Sequence, residues 1–252
     1  MSEIENRISR RIFLGLSGAL AAVSGIPASA AAGIKTSQTP PPVISDVSVS
    51  LIADALRKIG QDPRKLVMTT DIKPLVNVGR TVIGPAVTCK WELARGKGSS
   101  DDIRRFVFKP LDNAAPGSMW VIASGTTQIL SMFGDVIARA CVRNGLSGAV
   151  TDSGCRDIEA MKEVGFPVFG KASVPYGPGN IIRPVAANVP VICGKIEVHP
   201  GDLVAADSDG VIVIPKAVIA ELKESVKKKA AHENDMRRKI DEGHSLEKTY
   251  SL

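Results

Sequence analysis

Apolar residues recur at helical spacing over Val49, Ile52, Ala53, Leu56 and Ile59, with Ser48 placed to cap the first turn and Gly60 to end the helix. After a polar loop the period changes. Gly84-Pro85-Ala86 opens a strand running from Val87 to Leu93, the loop Gly96-Lys97-Gly98-Ser99-Ser100 follows, and Asp101-Asp102 begins a short amphipathic helix toward Phe108. Met119-Trp120-Val121-Ile122-Ala123 is a continuous apolar strand, succeeded by the polar loop Ser124-Gly125-Thr126-Thr127 and a helix expected to reach Gly134. A further helix from Asp135 to Gly145 sets Val136, Ile137, Ala140 and Cys141 on one face and Asp135, Arg139 and Arg143 on another. Strands are expected at 148–151, 167–170, 189–192, 203–205 and 210–214, with helices at 158–164 and from Lys216 onward. The pattern predicts a mixed α/β chain of many short strands, not a regular βαβ series, folded as one compact domain over residues 45–252.

The N-terminus has a different character. Ser9-Arg10-Arg11-Ile12-Phe13-Leu14 precedes an apolar Gly/Ala-rich stretch from Gly15 to Ile26, and Ala28-Ser29-Ala30 supplies a small-x-small cleavage pattern. Paired arginines before a mildly hydrophobic stretch are the mark of a twin-arginine export signal, here residues 1–32. The expected location is therefore periplasmic or secreted. The apolar stretch is too short for a secure membrane span. Residues 33–44, with Pro40-Pro41-Pro42, read as an extended linker.

Charge narrows the partners. The chain carries a formal net charge of +6, and a basic cluster, Lys227-Lys228-Lys229 with Arg237-Arg238-Lys239, lies on the C-terminal helix. Glu221, Glu224, Glu233, Asp235, Asp241 and Glu242 interleave with it, and no aromatic residue punctuates it. Mixed signs of this kind mark a solvated helix face, and nucleic acid is not expected as a partner. The four cysteines, Cys89, Cys141, Cys155 and Cys193, form no C-x-x-C pair, so a ribbon-type zinc site is excluded by spacing and small buried thiols are expected. His199 reads as a turn residue; His232 and His244 read as surface.

The chemistry concentrates in Asp152-Ser153-Gly154-Cys155-Arg156-Asp157, at the end of the strand Gly148-Ala149-Val150-Thr151. Ligands in α/β proteins usually sit beyond strand ends. An adjacent Arg-Asp pair there can hold a divalent cation through the carboxylate and a substrate oxyanion through the guanidinium. The same two residues can equally be an ion pair capping the helix Ile158–Val164. Cys155 has no histidine partner nearby and is not read as a nucleophile.

This stretch, together with Gly134-Asp135, Gly79-Arg80-Thr81-Val82-Ile83-Gly84-Pro85-Ala86-Val87-Thr88, Val189-Pro190-Val191 and the run from Pro200-Gly201-Asp202 to Asp209-Gly210-Val211, resembles the RraA-like family. That family includes the class II 4-hydroxy-4-methyl-2-oxoglutarate/4-carboxy-4-hydroxy-2-oxoadipate aldolases. The resemblance spans roughly residues 45–245. It implies a swivelling β/β/α sandwich assembled as homotrimers or homohexamers, with sites at subunit interfaces. It further implies that Asp157 ligates Mg²⁺ or Mn²⁺, that Asp135 and Glu233 act behind the ligand shell, and that Arg156 meets the C2 oxygen of a 2-oxo acid. On the same resemblance Gly134 and the backbone amides of Val136 and Ile137 receive the substrate carboxylate. Ser153 stands where the family more often has glycine, and Phe133 where tryptophan is common.

The activity so implied is retro-aldol cleavage of 4-hydroxy-2-oxo acids, oxaloacetate decarboxylation, or both, giving pyruvate. No lysine lies within the motif for Schiff-base chemistry, Lys171 being the nearest candidate. The alternative is an exported member that binds a ligand or a protein without turnover. Two assignments have simpler readings as well: Asp135 and Arg139 are spaced to pair on a helix surface, and Glu233 fits the solvated helix face.

Overall fold

The computed structural model describes residues 47–96 and 99–250; the signal and linker assigned to residues 1–44 lie outside them. Helix α1 (Val49–Lys58) starts at Ser48, whose side chain accepts the Leu51 amide, as its sequence demands. Strands β1 (Lys73–Val76) and β2 (Val82–Leu93) follow. Helix α2 runs Ser100–Ile103, widens to a π turn at Arg104–Phe108 and closes as Lys109–Asp112. The middle of the chain is β3 (Met119–Ala123), α3 (Asp135–Arg143), β4 (Gly148–Thr151), β5 (Gly154–Cys155), α4 (Ile158–Val164), β6 (Val168–Gly170) and β7 (Ala172–Ser173). The remainder comprises β8 (Ile182–Ala187), β9 (Val191–Cys193), β10 (Ile196–Val198), β11 (Leu203–Asp207), β12 (Gly210–Ile214), α5 (Ile219–Asp241) and α6 (Leu246–Tyr250).

One sheet in the order β1-β6-β4-β3-β2-β11-β12 organises the domain, with β8 also paired to β2. Pairs β2–β3, β3–β4 and β4–β6 are parallel, so β3-α3-β4-α4-β6 is a βαβαβ run, a regularity the short-strand pattern did not predict. The long β2 changes neighbour midway. Val82–Pro85 pair antiparallel with β11, and Ala86–Lys90 pair parallel with β3. Pro85, with no amide hydrogen, sits at that changeover, which explains how the strand begins five residues earlier than the Gly-Pro-Ala signal suggests. Strands β1 and β8 were not legible either, because each carries a proline; β1 ends the strand order and β8 hangs beside β2.

Side chains alternate between cores. In β11, Val204 and Ala206 enter one apolar cluster while Leu203 and Ala205 enter another; Val211 and Val213 of β12 separate in the same way from Ile212 and Ile214. The inner cluster joins both halves of the curled sheet to the β9–β10 hairpin. That hairpin turns on Gly194 and Lys195, both at positive φ as a two-residue primed turn requires. Outside the sheet, α2, α3 and α4 cover one half through Val107, Leu111, Ala138, Cys141 and Met161, and α1 and α5 cover the other. The product is a single mixed α/β domain with a helical layer on each outer face.

The expected helix before Gly134 does not form. Residues 124–134 are irregular, with one isolated bridge from Ser131 to Gly154. The reason is tertiary: the Leu130 and Met132 amides are taken by Ser153 Oγ at 2.8 Å and the Gly154 carbonyl at 2.9 Å. These outside partners replace an intrahelical ladder.

Candidate active site

The segment after β4 builds the site. Asp152 turns inward, and its Oδ1 accepts the Ser124 amide at 2.8 Å. Burial pushes its carboxyl above the usual value, opposed by the Ser124 hydrogen bonds and the nearby Lys171 charge. Ser153 is fully buried and both accepts from the Leu130 amide and donates to the Leu130 carbonyl. The hydroxyl found where the family more often has glycine thus pins the 124–134 loop. The Gly154 amide donates to the Leu130 carbonyl and the Arg156 amide to the Phe133 carbonyl, so the two loops run together up to Gly134.

This lacing sets Arg156 and Asp157 against the start of α3. Asp157 is the N-cap of α4 but lies in the left-handed region, φ 59° and ψ 38°, and makes no side-chain bond to its own helix. Its carboxylate points instead to α3: Oδ2 accepts the Asp135 amide at 3.4 Å and stands 3.5 Å from Arg156 Nε. A non-glycine residue in this conformation is held there by its surroundings at some cost, a pattern that clusters at functional sites. Gly134 makes the approach possible, because a β-carbon there would overlap Asp157 Oδ2. The Arg156–Asp157 ion pair is therefore present, but it does not cap the helix Ile158–Val164; the carboxylate meets the start of α3 instead.

The structure brings together Gly134, Asp135, Arg156 and Asp157, with Val136 and Ile137 in the first turn of α3. The first α3-type bond is Ala138 N–H to the Gly134 carbonyl, so the amides of Asp135, Val136 and Ile137 precede the ladder. Val136 is 76% exposed. Asp135 pairs with Arg139 across one turn at 3.3 Å, as its spacing permits. Glu233 lies on α5, where Arg237 at 2.8 Å and Lys229 at 3.8 Å hold its carboxylate; α5 packs on α1, in a different core from α3.

A neighbour missed in the sequence is the Pro/Gly-rich loop between β7 and β8. The Tyr176 carbonyl accepts the Ser131 amide at 2.9 Å, and Gly177 lies beside the Arg156 guanidinium. Tyr176 is left exposed there. The run Pro175-Tyr176-Gly177-Pro178-Gly179 announces a turn but nothing in it announces what the turn touches.

The donor set defines what the site can hold. Among the described residues there is no cluster of three or more His, Cys, Asp or Glu able to cage an ion. Asp157 offers one half-exposed carboxylate, with Asp135 beside it. That set fits a hard divalent cation that keeps most of its waters and does not fit a fully protein-ligated metal. Cys155 is buried and its thiol is pushed strongly upward by burial, which removes it as a nucleophile.

These features define an α/β domain with a carboxylate–guanidinium pair set against a helix N-terminus. The chain belongs to the RraA-like family (Aldolase/RraA), whose pattern matches residues 49–213. A protein of Halalkalibacterium halodurans named "Putative 4-hydroxy-4-methyl-2-oxoglutarate aldolase" is 35% identical over 180 residues, 69% of this chain and 79% of its own length. RraAS2 of Streptomyces coelicolor, an unusual member of the RNase ES inhibitor RraA protein family, matches with a TM-score of 0.66 at 26% identity, over 77% of this chain and 93% of its own. An uncharacterized protein of Pseudomonas syringae pv. tomato shares the fold with a TM-score of 0.69 at 22% identity, over 81% of this chain and 92% of its own.

Proposed function

We propose that this protein is a divalent-metal-dependent carbon–carbon lyase acting on 2-oxo acids, releasing pyruvate by retro-aldol cleavage of 4-hydroxy-2-oxo acids, by decarboxylation of oxaloacetate, or by both. The observation that carries the reading is the meeting of Asp157, Arg156 and the open first turn of α3 at Gly134. Similarity to the Halalkalibacterium halodurans protein supports the aldolase class.

Asp157 would hold Mg²⁺ or Mn²⁺ directly, with Asp135 retaining water beside it. Such an ion, when bound, supplies Lewis-acid polarisation to a 2-oxo group and its neighbouring carboxylate. The amides of Val136 and Ile137 receive the substrate carboxylate, since the N-terminus of a helix favours an anion. Arg156 donates to the C2 oxygen, and its charge meets the enolate that develops as the C3–C4 bond breaks. The electron pair of that bond becomes the enolate, which is protonated at C3 to give pyruvate. In the aldol substrate the C4 hydroxyl proton leaves to a water held by a carboxylate. Decarboxylation forms the same enolate without that proton transfer.

Assembly as a trimer or hexamer, with the site at a subunit interface, is proposed as well. Export by the twin-arginine route is part of the proposal, and Arg10→Lys with Arg11→Lys should retain the protein in the cytoplasm on cell fractionation. Pyruvate release from oxaloacetate or 4-hydroxy-4-methyl-2-oxoglutarate, with and without Mg²⁺, tests the lyase. Metal-stimulated release lost in both Arg156→Ala and Asp157→Ala supports it; no release by a folded, metal-supplemented oligomer refutes turnover of these substrates. The similarity to RraAS2 favours a second reading, a binding member without turnover, which would then stand.

A further inference from the structure

A cleft of about 530 Å³ opens on another part of the domain. Its floor is the changeover segment Pro85-Ala86-Val87 of β2, flanked by Ala187 and Asn188 at the end of β8 and by Ser118 just before β3. Its wall is α2, which contributes Arg105 and Phe106 from the π turn and Lys109 one turn later. None of its lining residues belongs to the Arg156–Asp157 site: the cleft meets the start of β3, whereas the loop leading to α3 leaves the end of that strand.

Three observations make this more than a surface hollow. Its volume falls within the ~300–1,000 Å³ usual for small-molecule sites. Its lining holds two cations and no carboxylate. The acids of α2 are engaged elsewhere, Asp101 with Arg104, Asp102 with the Ser99 cap and Asp112 with Arg143, and neither Arg105 nor Lys109 is in an ion pair among the described residues. Finally, two backbone irregularities converge here, the π turn of α2 and the left-handed Asn188 at φ 54°. Both are features that recur at binding sites. The rest of the lining is mostly apolar: Pro85, Ala86, Val87, Pro110, Ala114 and Ala187.

We infer that the cleft between α2 and the β2–β8 edge is a second ligand site, which takes a small organic anion: the charged head on Arg105 and Lys109, the apolar body on the β2 floor. The asparagine amides of Asn113 and Asn188 complete a rim with hydrogen-bonding capacity but no negative charge. A fully hydrophilic anion would leave the floor uncovered, and a neutral apolar ligand would make no use of the two exposed cations, of which Arg105 lies over the Phe106 ring at 5.1 Å.

Calorimetric titration of the purified protein with octanoate, acetate and inorganic phosphate tests this. Saturable octanoate binding is expected, with acetate and phosphate each weaker by about tenfold or more, since neither covers the apolar floor. Arg105→Ala with Lys109→Ala should weaken octanoate at least about tenfold while circular dichroism and melting stay near wild type; Arg105→Lys should keep most of the binding. Arg156→Ala should leave it unchanged, which separates this site from the proposed lyase centre. Absence of octanoate binding at millimolar concentration, phosphate binding as tight as octanoate, or octanoate binding lost in Arg156→Ala would overturn the assignment. So would dissociation of an oligomer by the Arg105/Lys109 double variant in sedimentation, which would make the cleft a subunit contact.

Discussion

Asp157 Oδ2 lies in the space that a β-carbon on Gly134 would need, and from there it receives the Asp135 amide at the start of α3. A carboxylate that caps a helix other than its own ties two loops of distant sequence into one site. The electrostatics are favourable, because the first turn of a helix attracts negative charge. The same geometry makes Gly134 the position where the smallest change has the largest effect.

Gly134→Ala should displace the Asp157 carboxylate, the movable end of a side chain, with Arg156 Cγ also crowded. Mn²⁺ affinity by titration and pyruvate release should both fall by about tenfold or more, roughly the effect of losing one charge-assisted contact. The melting temperature should move by only a few degrees, as for about 1 kcal/mol. A variant with unchanged Mn²⁺ affinity would show that this contact does not position the metal ligand.

The left-handed backbone of Asp157 yields a comparison of two variants that both lack the carboxylate. Asp157→Gly should be more stable than Asp157→Ala by about 1 kcal/mol, because only glycine adopts φ near +60° without steric penalty. Both should be inactive. Denaturant unfolding would check the order, and equal stabilities would mean that the loop relaxes when the side chain is cut back.

The partly buried Asp152 makes stability depend on pH with a defined sign. Its folded-state value is raised above 3.8 by burial, so between 3.8 and that raised value the folded protein binds more protons than the unfolded chain. This residue's contribution therefore weakens as pH rises through that window. Asp152→Asn keeps an oxygen for the Ser124 amide and removes the partly buried charge. It should melt higher than wild type at pH 7, with the difference shrinking as pH falls toward 3.8. A melting curve series in which Asp152→Asn is less stable at pH 7 would show that the Lys171 charge outweighs burial.

All four cysteines are buried and free, and burial pushes the Cys89 and Cys141 thiols up to about 12. The folded protein should give no rapid reaction with a thiol reagent at pH 8, and four equivalents should react in guanidinium chloride. Fast labelling of even one thiol in the native protein would contradict this burial.

Several elements were legible because their causes are local. Ser48 and Gly60 bound α1, and the runs at 148–151 and 210–214 form the strands their composition demands. Helix α4 begins and ends where its sequence indicates. The helix expected between the 124–127 loop and Gly134 fails for the opposite reason: the Leu130 and Met132 amides are satisfied by Ser153 and Gly154, partners more than twenty residues away. The prolines that obscured β1 and β8 are tolerated in strands whose positions only the sheet order reveals.

The candidate site divides in the same way. The sequence by itself determined which charged groups are available, because Arg156, Asp157 and Asp135 are set by residue type and by their positions at a strand end and a helix start. Tertiary structure alone decided what those groups face: that Asp157 caps α3 instead of α4, that Gly134 must lack a side chain, and that Gly177 lies by the Arg156 guanidinium. Local sequence fixes the conformation of a few neighbouring residues through sterics and hydrogen bonding. The facing of one loop upon another depends on how parallel strands bring their ends together, a long-range outcome that short-range pattern cannot encode.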